Sequence, residues 1–415
     1  MHLTPEQQDA VDLCLREKVV IVTGGPGTGK TTTARAIIDA FQERGVRLIA
    51  CAAPTGKAAR RLSERTDQKA TTVHRLCYRL EDGSDEPGLC LIDEASMLDI
   101  ELAEQFLAAL PDHTHLVFVG DVHQLPSVGP GKVLADFIEA GIPTAHLTQI
   151  HRQAAGSQII QIAHAIHEGQ IPALSNTDGG DAFFFDLPDP DRIVEQVVRL
   201  VTTAIPEKFG IPTEEIAVIC PQYGKSITSG CGIHRLNTAL QAALNPPEYF
   251  VKQERRWDLT ADRATIPRVL RVGDRLIWTA NDYQETGFVN GDETVVEEIW
   301  DEAGERNKVI TTIRLKGAHK PVSFGSLTAA HGWAMSVHKS QGSEYRAGIV
   351  IIHSSFARMN TRRLLYTAVT RAKELLCLVG TRSALAQAIR NTHENRRRTA
   401  LVERLCLEDD WRKAA

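Results

Sequence analysis

Val19-Val20-Ile21-Val22-Thr23-Gly24-Gly25-Pro26-Gly27-Thr28-Gly29-Lys30-Thr31-Thr32 is the stretch that decides the fold. Four β-branched apolar residues predict a buried strand, the glycine run can continue neither strand nor helix, and residues 32–41 resume at helical spacing. Strand, loop and helix in that order, around G-x-x-x-x-G-K-[ST], form a cradle for phosphate. In the loop Gly25, Pro26, Gly27, Thr28 and Gly29 the glycines let the backbone curl so that its N–H groups face phosphate oxygens, and the helix opening at Thr32 adds its N-terminus. Lys30 neutralises β and γ oxygens, and the Thr31 hydroxyl offers a hard oxygen to Mg²⁺. A plain glycine-rich turn is the alternative, and it requires neither the strand before nor the helix after.

On either side of this loop, short runs rich in Val, Ile and Leu at 19–22, 47–51, 89–92 and 116–119 alternate with helical patterns. That alternation predicts an α/β unit, a parallel sheet covered by helices on both faces. The run 89–92 ends in Asp93-Glu94. Beside a phosphate loop, such a pair suits phosphoryl transfer: Asp93 for the Mg²⁺ shell, Glu94 to orient and deprotonate the attacking water. The run at 115–119 leads into Gly120-Asp121-Val122-His123-Gln124, which places the Gln124 amide at the same sheet edge as a sensor of the γ-phosphate.

A chain of 415 residues is long enough for two or three compact units. Hydrophobic residues make up 43% and charged residues 24%, so neither disorder nor a membrane protein is indicated. Residues 1–10 hold polar and acidic groups where a signal peptide needs a basic patch and an apolar run, so a cytoplasmic location is expected and no membrane partner. Eight scattered cysteines without paired spacing read as buried free thiols. The pattern changes near Ile150, which places a first domain at 1–150 and opens a second with a helix at 157–168. A second set of buried strands follows at 216–220, 349–353 and 375–379. It is interrupted by a small, mostly β insertion at 265–326, with a turn at Asn290-Gly291-Asp292 and strands at 293–299 and 309–315. The second domain is thus split into 151–264 and 327–385, and a basic helical tail occupies 386–415. Its Arg396-Arg397-Arg398 could meet DNA or a partner protein, although such a stretch is more often solvated.

Together these motifs resemble superfamily 1 helicases, and within them the RecD-like, 5′-to-3′ branch that includes phage Dda-type enzymes; the resemblance spans nearly the whole chain. Leu3-Thr4-Pro5-Glu6-Gln7 is similar to the adenine-reading segment, which would give Gln7 the base edge of ATP. The segment from Ala53-Pro54-Thr55-Gly56-Lys57 to Arg60, and Thr72-Val73-His74-Arg75, resemble DNA-contacting segments of a first RecA-like domain. Val337-His338-Lys339-Ser340-Gln341-Gly342-Ser343-Glu344 resembles the segment that couples DNA to nucleotide, so Gly342 and Glu344 are expected near ATP. Tyr366 to Arg371 resembles an arginine-finger helix, and His151-Arg152-Gln153 the motif carrying a second arginine. The resemblance implies two RecA-like parallel-sheet domains in tandem, with ATP and Mg²⁺ between them and with Arg152 and Arg371 completing the site. It implies an SH3-like identity for the insertion, on the pieces Asn281-Asp282-Tyr283 and Val289-Asn290-Gly291-Asp292.

Single-strand motors track phosphates with backbone N–H groups, hydroxyls and a few cations, and stack bases on aromatic rings. Pro54, Thr55, Lys57, His74, Gln222, Tyr223, Lys225, His338, Lys339 and Gln341 are therefore the expected DNA contacts. For Tyr223 and Trp278 a core or domain-interface position competes with stacking. The net charge of −5 does not favour DNA globally, but a motor that releases its track in every cycle needs only a local groove. Two departures from the family pattern stand out. Only residues 77–88 are available for the wedge hairpin, with Asp82-Gly83 as a candidate tight turn, so the wedge is expected to be short or missing, and the N-terminal extension of the long RecD-like proteins is expected to be absent. The implied activity is an ATP-dependent 5′-to-3′ single-stranded DNA translocase or helicase acting at single-strand/duplex junctions, expected as a monomer. Two rivals stand beside it: a motor subunit of a larger recombination, repair or phage replication complex, and an ATP-gated switch that remodels protein.

Overall fold

The computed structural model describes residues 3–149, 156–174, 176–224, 226, 228–247, 254–261, 264–282, 285–303, 309–393, 397 and 399–407. The chain divides into two compact units, Met1–Glu168 with Thr392–Ala415, and Gly169–Asn391. The division follows the helix Gln158–His167, which the sequence reading had opening the second domain.

The strands of the first unit are β1 (Val19–Gly24), β2 (Ile49–Ala53), β3 (Ala70–Thr72), β4 (Leu89–Ile92), β5 (His115–Gly120) and β6 (Thr144–Leu147). They form one sheet in the order β3-β2-β4-β5-β1-β6, with every pairing parallel. Alternation along the strands explains why both faces are dry. Ile21, Cys90, Ile92, Leu116 and Phe118 join one core, while Val20, Val22, Leu89, Leu91, Val117 and Val119 join the other. Because β4 lies beside β5 and β5 beside β1, with Ile92 opposite Phe118 and Thr23 opposite Gly120, the loops leaving these three strands emerge at one sheet edge.

In the second unit, β7 (Ala182–Asp186) and β8 (Ile216–Cys220) precede the insertion, whose strands are β9 (Glu254–Ala261), β10 (Ala264–Arg271), β11 (Arg275–Trp278), β12 (Glu293–Ala303), β13 (Val309–Leu315), β14 (Val322–Ser323) and β15 (Ala329–His331). After it come β16 (Ala334–Ser336), β17 (Tyr345–Ile352) and β18 (Ala372–Gly380). β16-β8-β17-β18-β7 is a second parallel sheet. The insertion is antiparallel, with the sheet order β14-β13-β12-β11-β15 and a separate β9–β10 pair. Its strands begin at Glu254, earlier than the composition suggested. Gly291 takes the turn with φ at 94°, and Asp292 Oδ2 accepts from the Val289 N–H at 3.0 Å. Trp278 lies in the insertion core, 1% exposed, which settles its competing readings in favour of packing.

The wedge at 77–88, expected to be short or missing, is missing, and no strand lies between Val73 and Gly88. A helix, Val73–Glu81, runs through Cys77 and buries Val73, Leu76, Cys77 and Leu80, a helical spacing that outweighs any strand tendency. Gly83 does turn the chain, with φ at 71°, but it ends a helix.

The tail is likewise not simply solvated. Arg397 Nη1 donates to the Gly129 and Gly131 carbonyls, both at 2.9 Å, and Thr399 Oγ1 donates to the fully buried Asp136 at 2.6 Å. Leu401 and Leu405, from the helix Leu401–Leu407, pack against the first unit's core. Arg396 and Arg398 lie outside the described residues. Arg397→Ala should lower the local opening free energy of this strap by about 1–2 kcal/mol, the range for a hydrogen bond to a charged donor that is partly exposed. Faster amide exchange at 129–136 and 399–407 would show it; unchanged exchange would mean the leucines alone hold the tail.

Candidate functional site

The glycine loop closes tightly because its residues leave no room for more. A Cβ on Gly24 would sit 2.6 Å from Thr28 Oγ1 and 2.7 Å from the Leu147 carbonyl, and Gly29 enters the helix Lys30–Glu43 with φ at 81°. Thr28 Oγ1 donates to the Gly25 carbonyl at 2.9 Å. Lys30 Nζ donates to the Gly24 and Gly25 carbonyls at 2.7 and 2.9 Å, so the ammonium rests within the loop that it would share with phosphate.

Gln7 is fully buried beneath this loop. It is the third residue of the helix Pro5–Arg16 and completes a capping box with Thr4; its Oε1 accepts from the Thr4 N–H at 3.0 Å and its Nε2 donates to the Thr28 carbonyl at 3.3 Å. Its amide thus braces the phosphate loop.

Asp93 and Glu94 leave β4 at the edge shared with the loop. Burial, and secondarily the charge of Glu94, push the Asp93 carboxyl up to about 6, while Arg61 and Lys30 act in the opposite sense. Glu94 has φ at 51°; among the described residues only Asp67 is another non-glycine with positive φ. That conformation costs about 1–2 kcal/mol for a residue with a Cβ, and strain of this kind concentrates where a side chain must be aimed. Across the edge, a Cβ on Gly120 would meet the Ser96 and Ala95 nitrogens at 3.2 and 3.3 Å, so β5 closes directly on the turn after Glu94. The loop following it buries Gln124, whose Nε2 lies 3.4 Å from Asp121 Oδ2.

Thr31 Oγ1 and the Asp93 carboxylate are hard oxygen donors suited to Mg²⁺. Among the described residues no group of three or more His, Cys, Asp or Glu could hold a metal without help. A cation here would draw its remaining ligands from phosphate and water, the usual habit of Mg²⁺.

Of the expected DNA contacts in this unit, Thr55 caps the helix Gly56–Thr66 by accepting from the Ala58 N–H at 3.3 Å, and Pro54 and Lys57 are half-buried beside it. His74 is exposed on the helix Val73–Glu81. One turn further on stands Tyr78, 70% exposed, an aromatic that no motif marks.

The second unit holds the rest. Arg371 is buried and donates to the Thr367 and Ser343 carbonyls, both at 3.1 Å, and to Thr370 Oγ1 at 3.2 Å. Arg371 follows the helix Arg362–Val369, whose end is thereby tied to Gln341-Gly342-Ser343-Glu344, where Gly342 has φ at 72° and Glu344 pairs with Lys373 at 2.8 Å. Lys339 lies over the Tyr223 ring, 6.0 Å from its centre, and Tyr223 packs on His234 at 5.2 Å. Two expected DNA contacts are therefore adjacent, together with a histidine not singled out in the sequence. Gln222 is exposed, His338 half-buried and Gln341 buried. Arg152, Lys225 and Tyr283 lie outside the described residues.

Two family models match the chain: an AAA domain over residues 2–182 and a UvrD-like helicase C-terminal domain over 331–379. The ATP-dependent RecD2 DNA helicase of Deinococcus radiodurans is 34% identical over 97% of this chain, which spans 52% of that protein. The RecBCD enzyme subunit RecD of Mycolicibacterium smegmatis is 32% identical over 92% of the chain, with 72% of the relative covered. Among solved structures, Pif1 helicases studied for unwinding at forked duplex DNA share the fold at a TM-score of 0.57, with 20% identity and 100% and 98% of the two chains covered. Bacteroides Pif1 bound to single-stranded DNA gives 0.56 at 19% identity, with the same coverage of both chains.

Proposed function

The chain belongs to the RecD-like family of superfamily 1 helicases, and on that premise we propose that it is an ATP-dependent motor on single-stranded DNA, moving 5′ to 3′ and separating strands at junctions. The observation that carries the reading is the shared edge of β1, β4 and β5. It brings the phosphate loop, the Asp93–Glu94 pair and the Gln124 loop out side by side, with Glu94 held in a strained conformation. Those parts suffice for hydrolysis of ATP: cations and N–H groups to grip phosphate, a metal-binding carboxylate, and a base for water. Mg²⁺ would take Thr31 and Asp93. Arg371, and Arg152 with it, are proposed to meet the charge that develops on the transferred phosphoryl group.

DNA would run over Thr55, Lys57 and His74 in one unit and over Tyr223, His338 and Lys339 in the other, and the antiparallel insertion would be the SH3-like element of the family. The protein would work in the cytoplasm as a monomer. No helix among the described residues is long and apolar enough to cross a membrane.

A second reading has its own support. The relative of which the chain covers 72% is a subunit of the RecBCD enzyme, so this motor could serve a larger DNA-processing complex in repair or recombination. Strand displacement on duplexes with a 5′ or a 3′ overhang, beside ATP hydrolysis with and without single-stranded DNA, tests both readings. Stimulated hydrolysis with unwinding only from the 5′ overhang is expected. Stimulation without unwinding would favour the subunit, and a 3′ preference would overturn the direction.

A further inference from the structure

We infer that Glu293 is a positioning residue: through Tyr345 it braces the segment 337–344 against the antiparallel insertion, so that DNA contact at Lys339 is communicated to Arg371. The inference rests on the motor reading of the chain and adds two residues, Glu293 and Tyr345, to which no motif assigns a role.

Glu293 opens β12 inside the insertion, whereas Tyr345 opens β17 of the parallel sheet. The Tyr345 hydroxyl donates to Glu293 Oε1 at 2.7 Å, although 52 residues separate the two in the chain. Such a bond to a carboxylate is short and charge-assisted. The phenol stays a donor, because burial, and next the charge of Glu293, hold it well above its ordinary range. Glu293 is itself held: its Oε2 accepts from Arg275 Nη2 at 3.1 Å, and Arg275 also donates to the Thr213 and Glu214 carbonyls, at 3.2 and 3.3 Å, just ahead of β8.

Two residues before Glu293, the turn of the insertion meets the other end of the segment. A Cβ on Gly291 would stand 3.9 Å from the Lys339 carbonyl. The turn is stiff, since the Gly291 N–H donates to the Trp278 carbonyl at 2.9 Å and the Trp278 N–H to the Asp292 carbonyl at 2.8 Å. Residues 291–293 therefore form a strut that touches Lys339 at one end and Tyr345 at the other. From Tyr345 the link continues through backbone: its N–H donates to the Arg371 carbonyl at 2.9 Å, and Arg371 Nη1 donates to the Ser343 carbonyl at 3.1 Å. A displacement of Lys339 by DNA is thus resisted by the strut and passed to the strand end that holds Arg371.

Steady-state ATP hydrolysis by the full chain, with and without saturating single-stranded oligonucleotide, tests the link. Tyr345→Phe keeps the ring and deletes the hydroxyl, and Glu293→Ala deletes its acceptor. Each should lower the ratio of DNA-stimulated to DNA-free turnover by about threefold to tenfold, the span expected of a residue on a coupling route. The double variant should lose no more than either single one, because both substitutions break one contact. Glu293→Gln, which keeps an acceptor for the phenol, should recover part of the ratio. A ratio equal to that of the parent, whether both rates fall together or neither does, would make the contact ordinary packing and overturn the proposal, as would losses that multiply in the double variant. Thermal melts check folding, and one folded variant carries the test alone; failure of both to fold would also overturn the proposal, since the contact would then be a requirement of the fold. A parent protein whose hydrolysis does not respond to DNA would instead overturn the motor reading itself.

Discussion

Lys30→Ala is expected to lower DNA-stimulated ATP hydrolysis by about 100-fold to 1000-fold, the range for removing one fixed charge or donor from a developing phosphoryl anion. Folding should scarcely change. The ammonium donates to the Gly24 and Gly25 carbonyls in a loop half open to solvent, where water can replace those bonds for about 1 kcal/mol, and its remaining effect is on the charge of the Asp93 carboxyl. The strands and helix flanking the loop draw their stability from the Val20, Val22, Ile37 and Ile38 core, which the substitution does not touch. Phosphate release measured with single-stranded DNA, beside a thermal melt, gives the two readouts. Turnover within about threefold of the parent would remove the loop from the chemistry, whereas a large drop in melting temperature would show that Lys30 also has a structural task.

What could be read from the sequence followed from periodicity and spacing. The runs at 19–22, 89–92 and 116–119 have few alternatives to buried parallel strands, and their sheet order brings the phosphate loop, Asp93 and Gln124 to one edge without further assumption. The rest was hidden where short-range signals met longer-range packing. Asp82-Gly83 is a turn in any reading, but only the burial of Leu76 and Leu80 shows that it ends a helix. The arginine run at 396–398 looks solvated until Arg397 meets the carbonyls of Gly129 and Gly131, residues distant in the chain. The Glu293–Tyr345 hydrogen bond had no motif to announce it, since it joins the insertion to a strand 52 residues further on. Gln7 was placed by analogy with a base-reading role; its hydrogen bonds to Thr28 and Thr4 are local geometry that a motif does not encode.

Glu94→Gln should abolish turnover while leaving nucleotide and DNA binding in place. The amide preserves shape and hydrogen bonding but cannot accept the proton of water, and the loss of a general base amounts to about 100-fold to 10,000-fold. The φ of 51° at Glu94 makes a second, opposite effect available. Glu94→Gly removes the Cβ from a left-handed position and should stabilise the protein by about 1 kcal/mol, even as it also ends hydrolysis. A gain in melting temperature beside a loss of rate would identify the strain as something tolerated for aiming the carboxylate. If Glu94→Gly melted lower than the parent, the conformation would be upheld by contacts of the side chain, and strain would not explain it. The Gln variant carries a further consequence for its neighbour. Burial is the larger cause of the raised Asp93 carboxyl and the charge of Glu94 the next, so removing that charge lets Asp93 ionise at lower pH. Mg²⁺ should then support binding of N-methylanthraniloyl-ADP, followed by its fluorescence, at pH near 6 better in Glu94→Gln than in the parent, with the difference vanishing above about pH 7, where Asp93 is ionised in both. An equal Mg²⁺ requirement across that range would mean that the two carboxylates do not interact at the metal site, and that the division of labour between them is wrong.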